Sequence, residues 1–228
     1  MMTAGKKVKK LLKSEFVPAK KYGRLTPDEK AITKPQAVQL KIVLTGTQPL
    51  VWRRIHILAN STLRTLQFTI SDVMEWNYMH LYKFVIDEDE YGDPELDCDY
   101  FGWLDDSKIT VGRVLKKVSK FEFIYDFGDN WSHQIIFEDI FNANPKERYP
   151  VCISGENASP PENCGGVHGF EEFKKSTPII KKRQPKNIFD SLDMMRVRSG
   201  FDPYFFDLIR INEIKMSRRR KVNSPKKK

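Results

Sequence analysis

Cysteine is scarce in this chain: three residues in 228, at positions 98, 152 and 164. A sparse, odd count argues against a disulfide framework and for a reducing compartment. Long apolar runs are missing as well. No stretch reaches 18 apolar residues, so no transmembrane helix is expected. No apolar segment follows the N-terminal lysines, so a secretory signal is not expected either. The expected location is therefore the cytoplasm. RRRK and PKKK near the end would suit a nuclear address in a eukaryotic source. There is no internal repeat and no heptad pattern of coiled-coil length.

What is present is a large stock of core-forming residues. The chain is 40% apolar and holds 27 aromatic residues, ample for one sizeable core. Charge is unevenly placed. Residues 1–37 carry +7 and residues 213–228 another +7, which leaves −5 for residues 38–212 out of a total of +9. Basic tails of this kind attach loosely to polyanions, so nucleic acid is an expected partner of 1–37 and 213–228. That binding should be salt-sensitive and should vanish when both tails are removed. The mildly acidic middle does not look like a nucleic-acid groove. Val8, Leu11, Leu12 and Phe16 among the N-terminal lysines have helical spacing, yet a solvated tail is the simpler expectation.

Between the tails, residues 38–45 and 51–58 alternate as two strands around Gly46-Thr47-Gln48-Pro49. Arg53 and Arg54 fall on opposite faces of the second strand, so at most one can point into a site. Ser61 or Thr62 caps a helix running to about Trp76, with Leu63, Leu66, Ile70 and Val73/Met74 on one buried stripe. His80 to Ile86 reads as a third strand, with Trp76 and His80 flanking the corner. Asp87 to Asp106 holds ten acids and no bases. Its DEDEYG start resembles a calcium loop, but Tyr91 and Cys98 stand where ligands are needed, so it reads as an acidic surface loop. A strand near residues 100–104 and a short helix at 109–118 complete this half. Toward the end, helices are expected after Gly169, near residues 186–196, and from Asp202-Pro203 into YFFDLIRINEI. In the last, Phe205, Leu208, Ile209 and Asn212 would face the body.

The clearest pattern is FEFIYDFGDNWSHQIIF, 121–137. Phe121, Phe123, Tyr125 and Phe127 alternate with Glu122, Ile124 and Asp126, and Gly128-Asp129-Asn130 supplies a turn. With a loop of two or four residues, Asp126, Trp131 and His133 share one face, opposite the aromatics. An odd loop would separate Asp126 from His133. On one reading Asp126 orients His133 for acid–base or metal chemistry. On the other, Asp126 and Asp129 bond the turn backbone and His133 is an ordinary strand histidine.

Residues 150–173, PVCISGENASPPENCGGVHGFEEF, make an irregular path through Pro160-Pro161 and Gly165-Gly166. They add Glu162 and Asn163 as polar candidates. Cys152, Cys164 and His168, with His133 as a fourth, could bind zinc, but the compact Cys-x2-Cys knuckle is missing. Buried inert thiols are the expectation, and no cofactor is assigned. Cys164 as a nucleophile with His168 or His133 has less support still.

Four blocks stand in order: PLVWRRIHI with TLRTLQFTISDVMEWNYMHLYKF; FEFIYDFGDNWSHQI; PVCISGENASPPENCGGVHGFEEF; and FDPYFFDLIRIN. Together they resemble the plasmid pRiA-type open-reading-frame-three-like family over about residues 38–212. The resemblance implies one compact, cytosolic α+β domain, often encoded on mobile elements, with a mainly antiparallel sheet packed by helices. It implies no activity. Asn163 stands where similar sequences commonly have aspartate, which weakens any mechanism needing a carboxylate there.

Three functions remain open. One is a non-enzymatic accessory domain working near nucleic acid through its tails. Another is an acid–base or metal-assisted hydrolase with Asp126, His133 and Glu162 as its catalytic groups. Arg53 or Arg54 would clamp an anion there, and Trp76, His80, Trp131 and Asn163 would complete the binding surface. The third is a protein-binding module anchored by Trp52, Trp76, Trp103 or Trp131.

Overall fold

β1 (Gln36–Leu44) alternates buried Val38, Leu40, Ile42 and Leu44 with less buried Gln39, Lys41 and Val43. Such alternation suits a strand with one face on a core. In the computed structural model, which describes residues 35–97, 101–180 and 201–213, β1 lies deep in the sheet, paired on both sides. Its partners are β2 (Trp52–Leu58) and β7 (Trp131–Asn142). The other strands are β3 (Tyr82–Ile86), β4 (Asp89–Gly92), β5 (Leu104–Asp105), β6 (Lys120–Tyr125) and β8 (Val151–Glu156). Among the described residues they form one sheet in the order β5-β4-β3-β6-β7-β1-β2-β8. Every neighbouring pair is antiparallel except β4–β5, so the expected α+β class, with its mainly antiparallel sheet in one compact domain, holds.

α1 (Leu63–Val73) covers the apolar face. Thr62 caps it by accepting from Thr65 N, and the expected stripe of Leu63, Leu66, Ile70 and Val73 is fully buried. Each of these side chains contributes roughly 1.5–3 kcal/mol by leaving water. The opposite face of the sheet is polar. There Arg54 makes a two-pronged ion pair with Glu138, at 2.5 and 2.8 Å, while Gln39 bonds both Glu138 and His56. The other helices are α2 (Pro94–Asp97), α3 (Val111–Leu115), α4 (Gly166–Ile180) and α5 (208–213). Among the described residues no helix is long and apolar enough to cross a membrane.

The described residues of the acidic segment, 87–97 and 101–106, are more ordered than their composition implies. DEYG is β4, hairpinned onto β3 through Asp87 at a φ of 55°. Arg64 of α1 gathers Asp93 at 2.8 Å, Asp105 at 3.7 Å and fully buried Asp106 at 2.8 Å. Tyr82 also donates to Asp106, at 2.7 Å. Cations from outside the segment thus offset part of what reads in the sequence as an unopposed acidic loop: Arg64, with Lys83 on Glu90, Lys117 on Asp87 and Lys108 on Asp105.

Two other expectations change. PVCISGE is not wholly irregular, because β8 pairs with β2 at the sheet edge. The C-terminal helix starts later than Asp202-Pro203. Asp202 makes only a turn, accepting from Tyr204 N, and Asp207 caps α5 through Arg210 N. The late start shifts the buried phase to Phe206, Leu208 and Ile211, leaving Phe205 and Ile209 outward. Asn212 does face the body, bonding both the N and O of Cys152. The expected N-terminal tail ends earlier than residue 37, because Gln36 and buried Ala37 already belong to β1. Residues 1–34 and 214–228, the helix expected at 186–196 and Cys98 lie outside the described residues.

Candidate functional site

The β6–β7 connection decides the site. Tyr125 pairs with Trp131 and Phe123 with His133, so the loop is 126–130, five residues long. An odd loop turns the return strand over. Trp131 and His133 therefore share the core face with Phe121, Phe123 and Tyr125, and all five are buried. The expected Asp126–His133 pair does not form. Asp126 instead sits at a φ of 57°, a left-handed conformation that Asp and Asn tolerate better than most residues. Its Oδ1 accepts from Gly128 N at 3.1 Å and Asp129 N at 3.3 Å. Its Oδ2 lies 3.3 Å from His80 Nδ1. His80, at the corner before β3, is the histidine that Asp126 holds.

His133 has a different character. It is wholly buried, its Nδ1 is 3.3 Å from Phe123 O, and its Nε2 has no hydrogen-bond partner among the described residues. Burial first, eased only partly by backbone bonds, pushes its pKa down to about 4. It is a neutral core ring and not a base facing a cleft.

The PPENCGG loop folds down onto the hairpin turn. Trp76 Nε1 donates to Pro160 O at 2.9 Å, and Gly165 N donates to Asp129 Oδ2 at 3.2 Å. Gly166, at a φ of 68°, lies so close that a Cβ would stand 2.5 Å from Asp129 O. Only glycine fits both that conformation and that approach. Glu162 Oε1 accepts from Tyr125 OH at 2.8 Å and from Asn77 N at 3.0 Å. Burial and Glu162 both raise the Tyr125 phenol, so it stays a donor. His80 packs edge-on against the Tyr125 ring, 5.6 Å between centroids. His80 and Asp126 thus meet Tyr125 and Glu162 at one rim, a grouping that the alternation pattern alone does not show. Asn163, exposed at a φ of 58°, serves the bend.

The remaining candidates are dispersed. Cys152 is buried in β8, His168 is exposed on α4, and Cys164 lies beneath the hairpin turn. Among the described residues no group of three or more His, Cys, Asp or Glu is placed to hold a metal. Burial first, then Asp129, pushes the Cys164 thiol up to about 12, which opposes thiolate chemistry. Arg53 and Arg54 do lie on opposite faces of β2: Arg54 pairs with Glu138, and Arg53 is buried away from the hairpin rim. Trp76, Trp103 and Trp131 are buried and Trp52 is half-buried, so they form no exposed anchor cluster.

Comparison with known proteins agrees with this architecture. The family model described as Plasmid pRiA4b ORF-3-like protein matches residues 36–210. An uncharacterized protein of Sinorhizobium fredii is 31% identical over 143 residues, covering 60% of this chain and 70% of that protein. The crystal structure of a protein of unknown function from Methanosarcina mazei Go1 is similar with a TM-score of 0.64 and 29% identity. That match covers 78% of this chain and 97% of that one.

Proposed function

The chain belongs to the plasmid pRiA4b ORF-3-like protein family, a membership that names no reaction, and from the site itself we propose an acid–base hydrolase acting at the hairpin rim. The observation that carries this reading is the His80–Asp126 contact at 3.3 Å on a partly open histidine. Asp126 accepts the Nδ1–H hydrogen bond and so sets the tautomer, leaving Nε2 to accept a proton from an attacking water. Glu162, held by Tyr125 OH and Asn77 N, is the second carboxylate. Asp126, Asp129 and Glu162 make the rim acidic, so a neutral or cationic ester or amide suits it better than a phosphate ester.

The test uses 4-nitrophenyl esters and aminoacyl 4-nitroanilides with the full chain. Asp126→Asn keeps the left-handed backbone position while removing the charge. It is expected to lower kcat by about a hundredfold with the near-UV circular dichroism unchanged. Unchanged kcat in that variant, or no turnover by the native protein, refutes the proposal.

The charge segregation favours a second reading, in which the basic tails carry the domain to nucleic acid and the domain itself is accessory. Loss of salt-sensitive duplex binding on deletion of 1–34 and 214–228, which spares β1 and α5, is its expected result.

A further inference from the structure

A pocket of about 280 Å³ that shares no lining residue with the hairpin rim lies between the end of α1, β2 and the 201–213 segment. Arg53 forms part of its wall and is 1% exposed. A guanidinium has five N–H donors. Four are used here, and all go to neutral acceptors: Val73 O, Trp52 O, Glu156 O and Ser159 Oγ, at 2.8–3.0 Å. Among the described residues no carboxylate comes within ion-pair distance of Arg53. A buried cation without a contacting counter-ion is costly, and one donor on Nη2 is left over. Desolvation lowers its pKa to about 10, opposed only in part by Cys152 and by Glu75 of the same pocket.

Across the pocket the balance is reversed. Asp202 and Asp207 line it and use oxygens only for their own turns, bonding Tyr204 N and Arg210 N. Glu75 is matched by Arg210, at 3.1 Å. Glu75 itself occupies the left-handed position just past α1, with a φ of 60°, where glycine is usual. Trp76 N donating to Ser71 O and Glu75 N to Asp72 O complete that helix end. Phe201, Phe205 and Phe206 supply the apolar walls. The Phe206 ring lies 4.7 Å from the Arg53 guanidinium, and it can settle there because residue 155 is glycine. A Cβ at that position would meet the ring at 2.7 Å.

Among the described residues, one buried cation with no ion pair, two carboxylates opposite it that make none and aromatic walls between them form a complementary set. We propose that this pocket binds a small zwitterion with an apolar or aromatic body, an α-amino acid in chemical class. The ligand carboxylate meets Arg53, the ammonium meets Asp202 and Asp207, and the side chain lies among the phenylalanines. The volume is at the small end for ligand pockets, which suits a molecule of that size. A simple dianion would satisfy Arg53 but would face both aspartates. The proposal does not depend on the hydrolase reading.

The test is calorimetric titration of the full chain with L-phenylalanine, 2-phenylethylamine and 3-phenylpropionate. L-Phenylalanine is expected to bind with a Kd of about a millimolar or tighter. Each analogue, lacking one charge, should bind at least about tenfold more weakly. Asp207→Asn keeps the helix cap, since Asn caps as well as Asp. In that variant L-phenylalanine should weaken while 3-phenylpropionate tightens, a crossover that loss of packing alone would not produce. Absence of saturable binding to about 10 mM overturns the proposal, given the affinity expected of so small a ligand. So does equal binding of the three probes, or an Asp207→Asn variant with unchanged preference.

Discussion

Trp76→Ala is expected to destabilise the protein by about 5 kcal/mol, enough to leave much of it unfolded at 37 °C, since typical domains have only about 5–15 kcal/mol in hand. Trp76 is 1% exposed and stands where three parts of the molecule meet. Its ring stacks on Tyr125 at 4.9 Å, with 9° between the planes, and lies 6.0 Å from Trp131 and edge-on to His133 at 5.4 Å. Its indole N–H reaches Pro160 O and holds the PPENCGG loop down. Truncation to alanine costs about 3–5 kcal/mol for the lost transfer energy and the cavity, and aromatic contacts add about 1 kcal/mol more. Chemical unfolding followed by near-UV circular dichroism measures the loss. Trp76→Phe should recover more than half of it by keeping an aromatic ring on Tyr125, at the loss of the N–H and of the second ring's volume. A loss below about 1.5 kcal/mol in Trp76→Ala would show that the loop and hairpin are held together by other contacts.

Acid should destabilise the fold well before carboxylates protonate, and His133 is the reason. Its pKa is pushed down to about 4 in the folded chain, against an ordinary value of about 6.5 when unfolded. The unfolded state therefore binds the proton first. The contribution of neutral His133 is whole above pH ~6.5 and is lost progressively as pH falls toward ~4. The total is about 3 kcal/mol, converted from that depression. His133→Leu removes the titrating ring. Its Nε2 has no hydrogen-bond partner among the described residues and its Nδ1 bond, at 3.3 Å, is long, so the variant should lie within about 1 kcal/mol of native stability at pH 7.5. It should also lose most of the slope between pH 6.5 and 4.5. Urea unfolding midpoints across that range decide the point, and a variant as acid-sensitive as the native chain would place the titration elsewhere.

Local chemistry made much of the fold legible. Alternation at Val38–Leu44 and Phe121–Tyr125, the Thr62 cap and the Leu63–Leu66–Ile70 stripe each report a periodicity that short-range geometry imposes. β8 was harder to read. Half-buried Val151 and Ile153 share an edge strand with Ser154 and Gly155, and its bulge against β2 breaks the alternation. The C-terminal helix was misphased because both Asp202 and Asp207 are competent caps. Packing of Phe206 and Ile211 on the body selects the second.

The site divides along the same line. Asp126, Glu162, Tyr125 and His80 could all be found as polar or half-polar residues in the blocks that define the family, and the sequence alone determined which chemical groups are available. It also determined that Asp126 lies beside a turn. Tertiary structure decided the pairing. A loop of five residues in place of four turns every side chain of β7 to the other face, because the side-chain period in a strand is two. That single step buries His133 and frees Asp126 for His80, more than forty positions earlier in the chain. With that parity Trp131 packs against Trp76, which itself stacks on Tyr125. Those contacts bring distant segments together, so no window of sequence contains them.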